Sequence, residues 1–147
     1  MIARVNGCDR FAVHRTYLRP DGTGKAAVPE GTAKLALGKT QGGAVCVSEA
    51  RGPLVVAEGI ETALSLACGL LRAPATVWAG LSTSGVRGLR LPDLPGRLTI
   101  APDGDDAGRA AATALAERAH AHGWAVSLLP APDGRDWNDI IMKGERA

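Results

Sequence analysis

The chain has 147 residues, 46% of them hydrophobic, and a formal net charge of +2. That is enough for one compact domain with a core and leaves little room for a second. The mildly basic balance neither demands nor excludes nucleic acid, and with aromatics at only 3% the core must come mainly from Ala, Leu and Val.

Taken from the N-terminus, Met1–Arg10 has no apolar signal core, and no run approaches membrane-spanning length. The expectation is a soluble protein of the reducing cytoplasm, with no membrane partner. Cys8, Cys46 and Cys68 fit it: odd in number and far apart, they match neither a zinc spacing nor a disulfide framework. Phe11–Val28 reads as a β-hairpin, with Arg19-Pro20-Asp21-Gly22 as the turn and Lys25–Val28 as the return. Pro29–Gly43, rich in Gly, Lys and Thr, reads as a loop, and Ala44–Val47 as a short strand closed by Arg51-Gly52-Pro53. Gly38-Lys39-Thr40 ends like a phosphate-binding loop, but the first glycine of that motif would fall on Ala33. Gln41-Gly42-Gly43 follows where a helix is required, and Gly24-Lys25 fails on Ala26.

From Leu54 strand and helix alternate. Leu54–Ala57 reads as a buried strand, Glu61–Leu71 as a helix, Thr76–Ala79 as a strand, Gly80–Gly85 as a polar loop and Val86–Leu91 as a short helix. Leu98–Ala101 is the third strand, Asp106–His122 the clearest helix with Gly123 as its stop, Ala125–Leu129 the fourth strand, and Asp136–Lys143 a last short helix. The expected fold class is therefore α/β, a roughly four-stranded parallel sheet flanked by helices, with an N-terminal β-hairpin extension.

Ligands in such sheets gather at the carboxyl ends of the strands. The first strand ends in Glu58, and the third in Asp103 and Asp105; a fourth acid, Asp136, follows the last strand. Clustered carboxylates repel one another, so the set suits one or two hard divalent cations with phosphate ligands. An EF-hand loop is excluded, because Ala107 and Ala114 stand where ligands would be needed. The plain alternative is that these acids serve helix N-termini, with Asp136 as an N-cap paired to Asp139 and Trp137 as a packing anchor; cap and ligand are compatible roles.

The ordered series Glu58-Gly59-Ile60-Glu61-Thr62-Ala63-Leu64, Gly80-Leu81-Ser82-Thr83-Ser84-Gly85 and Asp103-Gly104-Asp105-Asp106-Ala107-Gly108-Arg109 resembles the successive motifs of a Toprim domain. More narrowly, it resembles the Toprim domain of bacterial and phage-type DNA primases. Asp133-Gly134-Arg135-Asp136-Trp137-Asn138-Asp139 resembles their final acidic element, and His14–Lys25 resembles the segment preceding Toprim in phage and plasmid primase-like proteins. The resemblance implies an extension over 1–52 and a catalytic domain over 53–147. It implies Mg²⁺ or Mn²⁺ held by Glu58, Asp103, Asp105 and Asp136, with the first three catalytic. Asn138 departs from the family's frequent aspartate there, which bears on an additional metal site. The implied activity is metal-dependent nucleotidyl transfer that makes primers on single-stranded DNA from nucleoside triphosphates. Arg109, Ser82, Ser84 and Lys39 are candidates for substrate binding, and Lys25, Lys34 and Lys39 for template contact. Arg109 has a solvated helix residue as its alternative. A replicative helicase or a zinc-binding primase module is the implied partner. The competing readings are a Toprim-type nuclease and a catalytically degenerate nucleic-acid-binding module.

Overall fold

Leu54-Val55-Val56-Ala57 is a continuous apolar run, which a strand tolerates only where both of its faces are covered. In the structure, a computed structural model that describes residues 1–28 and 32–144, all four residues are buried as strand β5. The strands, in chain order, are β1 (Ile2–Val5), β2 (Ala12–Thr16), β3 (Lys34–Leu37), β4 (Val45–Ser48), β5 (Leu54–Ala57), β6 (Thr76–Ala79), β7 (Arg97–Ala101) and β8 (Ala125–Leu128). The helices are α1 (Ile60–Ser65), α2 (Thr83–Gly88), α3 (Asp106–Ala121) and α4 (Trp137–Met142).

β5 is the middle of a five-stranded sheet ordered β4-β6-β5-β7-β8. β5, β6, β7 and β8 run parallel, and β4 closes one edge antiparallel to β6, with an irregularity between Cys46 and Ser48. The expected four-stranded parallel sheet is thus present, extended by one antiparallel strand. Strand alternation divides the core. Val55 and Ala57 face a cluster with Ile60, Ala63 and Leu66 of the α1 segment and Trp137 and Ile140 of α4. Leu54 and Val56 face the other way, into Val86 and Leu89 of the α2 segment and Ala111, Ala112, Leu115 and Ala119 of α3. Each fully buried Leu or Ile in these layers contributes about 1.5–3 kcal/mol. Trp137, the expected packing anchor, is buried and donates from Nε1 to the Leu129 carbonyl at 3.1 Å.

The N-terminal segment forms a separate antiparallel sheet, ordered β1-β2-β3. The expected turn exists, with Gly22 N–H donating to the Arg19 carbonyl at 3.0 Å. The return strand does not: residues 25–28 pair only through the single bridge Leu18–Lys25. The partner of β2 is instead β3, inside the stretch expected to be a loop, of which residues 29–31 lie outside the described residues. Ala12, His14 and Thr16 form the buried face of β2, which lies between β1 on one edge and β3 on the other. Val5 and Ala12 join the core cluster under α1, and Asn6 and Ala44 exchange backbone hydrogen bonds of 2.8 and 2.9 Å.

Two helices differ from expectation. The helix expected over Glu61–Leu71 is α1 followed by a π-turn over Leu66–Leu70, closed by Leu71 N–H to the Leu66 carbonyl at 3.1 Å. The backbone leaves helical geometry at Gly69, which lies at the break. The helix expected over Val86–Leu91 is α2, three residues earlier at its start, because Ser82 caps it by accepting from Gly85 N–H at 3.0 Å. Among the described residues no helix is long and apolar enough to cross a membrane.

Candidate functional site

Register decides which acids meet. Ala57 of β5 stands opposite Ala101 of β7 in a parallel pair, so Glu58 and the Pro102-Asp103 segment leave the sheet at the same edge. The loop after β6 closes over Glu58: Gly80 N–H donates to the Ala57 carbonyl at 2.9 Å, and Leu81 N–H to the Glu58 carbonyl at 2.7 Å. Leu81 holds a positive φ of 74°, uncommon for a non-glycine residue.

The electrostatics follow from this crowding. Burial, then the charges of Asp103 and Asp105, push the Glu58 carboxyl above its usual range, against the Thr83 backbone N–H and Lys34. Asp103 is pushed up to about 6 by burial, then by Asp136 and Asp105. Thr62 Oγ1, 3.5 Å from Asp103 Oδ1, and the charge of Lys34 oppose that rise. Asp103 is therefore the acid that senses the charges of both Asp105 and Asp136.

Asp105 is exposed and caps α3, accepting from Gly108 N–H at 2.6 Å. Asp136 caps α4, accepting from Asp139 N–H at 2.8 Å, while Asp139 accepts from Asp136 N–H at 3.3 Å. The capping box expected as the plain alternative is thus present. Among the described residues no three His, Cys, Asp or Glu side chains form a ready-made ligand cage. The donor chemistry nonetheless fits a hard divalent ion: every group is a carboxylate, and burial and then the neighbouring acids raise Glu58 and Asp103, with Lys34 only partly offsetting them.

The nearest cations are committed to another acid. Lys34 on β3 pairs with Glu61 Oε2 at 2.8 Å, and Lys25 pairs with Glu61 Oε1 at 3.1 Å. Burial raises the Glu61 carboxyl, but the Lys34 bond, a backbone bond and the Lys25 bond outweigh it and bring the group down to about 2. Buried His14 lies close enough to feel both Lys34 and Glu61, and burial first, then Lys34, lowers its pKa. Sequence reasoning did not assign Glu61 a role at the site; its position three residues after Glu58, in the first turn of α1, was the available signal.

The remaining candidates are scattered around this cluster. Arg109 Nη2 donates to the Gly104 carbonyl at 3.3 Å and pairs with Asp133, so it is neither free nor simply solvated. Ser82 caps α2, and its Oγ lies 3.0 Å from Ser84 Oγ. Lys39 is exposed, and the acid it perturbs is Asp9 rather than the central set. Gly38 has φ of 87° and lies against Phe11 and Ala12 with no helix following, in agreement with rejecting a phosphate-binding loop there. Asn138 accepts from Ser65 Oγ at 3.3 Å.

A family model described as Toprim domain matches residues 53–147. A second, described as a domain of unknown function (DUF7146), matches residues 1–47. A crystal structure of a DNA primase domain from Pseudomonas aeruginosa superposes with a TM-score of 0.55 at 22% identity. That likeness covers 90% of this chain and 47% of the other, so this chain spans about half the length of its structural neighbour, and at such identity the likeness is one of fold. No curated protein sequence matches.

Proposed function

The chain belongs to the Toprim domain family, and from that premise we propose that it is a metal-dependent nucleotidyltransferase of the DNA primase type, extending short primers on single-stranded DNA. The observation that carries this reading is the parallel register of β5 and β7, from which Glu58 and Asp103 emerge on one edge, near enough that the Asp103 charge adds to burial in raising Glu58.

In this reading Glu58 and Asp103 hold Mg²⁺ or Mn²⁺ through carboxylate oxygens. Asp105 and Asp136 contribute the oxygens that their cap bonds leave free, and residues 53–147 form the catalytic unit with 1–52 as its extension. The bound cation supplies Lewis-acid activation of a primer hydroxyl and neutralises phosphate charge. The chain's own groups do the positioning. Ser82, on the loop that covers Glu58, and Ser84, in the first turn of α2, present hydroxyls to the nucleotide. Arg109 and Lys39 offer charge to phosphates, and Lys25 and Lys34 line the approach from the N-terminal sheet. Asp103 must be ionised to serve, which its value of about 6 permits at neutral pH. Nucleoside triphosphates and a single-stranded template are the substrates, the cytoplasm is the compartment, and a helicase or a zinc-binding primase module is the partner class.

Incubation with single-stranded DNA, labelled nucleoside triphosphates and Mn²⁺ tests the reading. Short labelled oligomers that disappear in EDTA are expected. Degraded template without oligomers would make the protein a nuclease using the same acids, and binding without either product would make it a binding module.

A further inference from the structure

A pocket of about 270 Å³ opens on the sheet at its β4–β6 edge, beside the junction with the N-terminal segment. The central acids follow β5 and β7 and take no part in it. Its aromatic wall is Trp78, half-buried and paired across the strands with exposed Cys46, whereas Trp124 and Trp137 are each only 6% exposed. The Thr76 hydroxyl is occupied, donating to the Ala50 carbonyl at 2.9 Å and accepting from Ala50 N–H at 3.3 Å. The polar side chains left at the rim are Asn6, Glu49 and Arg90.

Arg90 is held at the wall by its backbone, whose N–H donates to the Gly42 carbonyl at 2.9 Å, and its side-chain stem lies over Gly42. Its guanidinium pairs with Asp9, but the two side chains are 56% and 76% exposed. An ion pair so open to water is weak enough to yield to a competing anion.

We propose that this pocket binds the base of a nucleotide, stacked on Trp78, with its phosphate at Arg90. A half-buried indole in the lining of a pocket offers a π-surface to a planar ring. Glu49 is an acceptor-only group matched to the exocyclic amine of a base, and a planar guanidinium is matched to phosphate. The volume, near the lower bound of about 300 Å³ for small-ligand sites, suits one nucleoside rather than several. This site is independent of the proposed activity. Its ligand is either a free nucleotide or one unstacked base of a single strand.

Titrations in EDTA, which removes divalent ions from the acids, test it. AMP and a short single-stranded oligodeoxyadenylate are the probes, followed by tryptophan emission and by calorimetry. Saturable quenching is expected in the native protein and in Glu58→Gln. Trp78→Phe should lose the quenching yet still bind, and Trp78→Ala should bind roughly tenfold more weakly. Binding of both probes identifies a free-nucleotide site, and binding of the oligonucleotide alone identifies a strand site; either upholds the pocket. Quenching that survives in Trp78→Phe, unchanged affinity in Trp78→Ala, loss in Glu58→Gln, or no saturable binding of either probe would overturn it. Should Trp78→Ala fail to fold, the Trp78→Phe comparison decides alone.

Discussion

Asp103→Asn and Glu58→Gln are each expected to reduce primer synthesis by about 1000-fold, the scale of removing a group that stabilises transition-state charge. The same changes should make the metal-free protein more resistant to heat at neutral pH. The two effects share one cause. Asp103 is raised from 3.8 to about 6 by burial and by Asp136 and Asp105, so the folded state holds that proton more tightly than the unfolded chain does. Its stabilising contribution is fully present below about 3.8 and is lost as pH rises through about 6. Glu58, raised from 4.5, acts in the same direction. Glu61, lowered to about 2, contributes stability above 4.5 that is lost only as pH falls toward its folded value, so it is constant near neutrality. His14, lowered from 6.5, opposes the acids by favouring the folded state as pH rises. It is common to native and variant proteins and cancels in their difference. In EDTA, Asp103→Asn should therefore exceed the native protein by about 1–2 kcal/mol near neutral pH, after allowance for solvent screening, and the gap should close toward about pH 4. Thermal unfolding across that range is the measurement. A variant less stable than the native protein at neutral pH would contradict the electrostatic account.

Gly104→Ala should cost about 3 kcal/mol, an overpacking penalty with little room for relaxation. A Cβ at Gly104 would lie 1.9 Å from the Pro132 carbonyl oxygen and 3.0 Å from that of Arg135. Both obstacles are backbone. The same glycine joins the two acidic loops: its N–H donates to the Arg135 carbonyl at 2.8 Å, and its carbonyl accepts from Gly134 N–H at 2.8 Å. Separating these strands of backbone moves Asp136 away from Asp103, so activity should fall more than stability alone explains. Gly88→Ala is the matched control, because a Cβ there meets nothing within 4 Å, and it should change stability by less than about 0.5 kcal/mol. Urea unfolding compares the two; equal, small effects would show that the loops do not need this close approach.

The asymmetry between what could and could not be read has physical sources. Leu54–Ala57 was legible to the residue because a run buried on both faces needs no partner information, and Thr76–Ala79 because Thr76, Val77 and Trp78 are strand-favouring residues that alternate between half-buried and buried. β1 and β3 were not. Ile2–Val5 and Lys34–Leu37 are short and largely exposed, and only their pairing with β2 makes them strands. The early start of α2 depended on Ser82, whose hydroxyl reads equally well as loop or cap. At the site, the acids were visible as residue types at strand ends. What required coordinates was the register of β5 against β7, the fold-back of Lys25 and Lys34 onto Glu61, and the commitment of Arg109 to Asp133. Each is a contact between distant positions that local pattern does not encode.

Isothermal titration of Mn²⁺ into the native protein, Glu58→Gln, Asp103→Asn and the double variant addresses the shared-cation claim most directly. If one ion is held by both carboxylates, either single substitution should remove nearly all binding and the double should be no worse than the singles. Undiminished binding in either single variant, or losses that simply add in the double, would show that Glu58 and Asp103 do not hold a common ion.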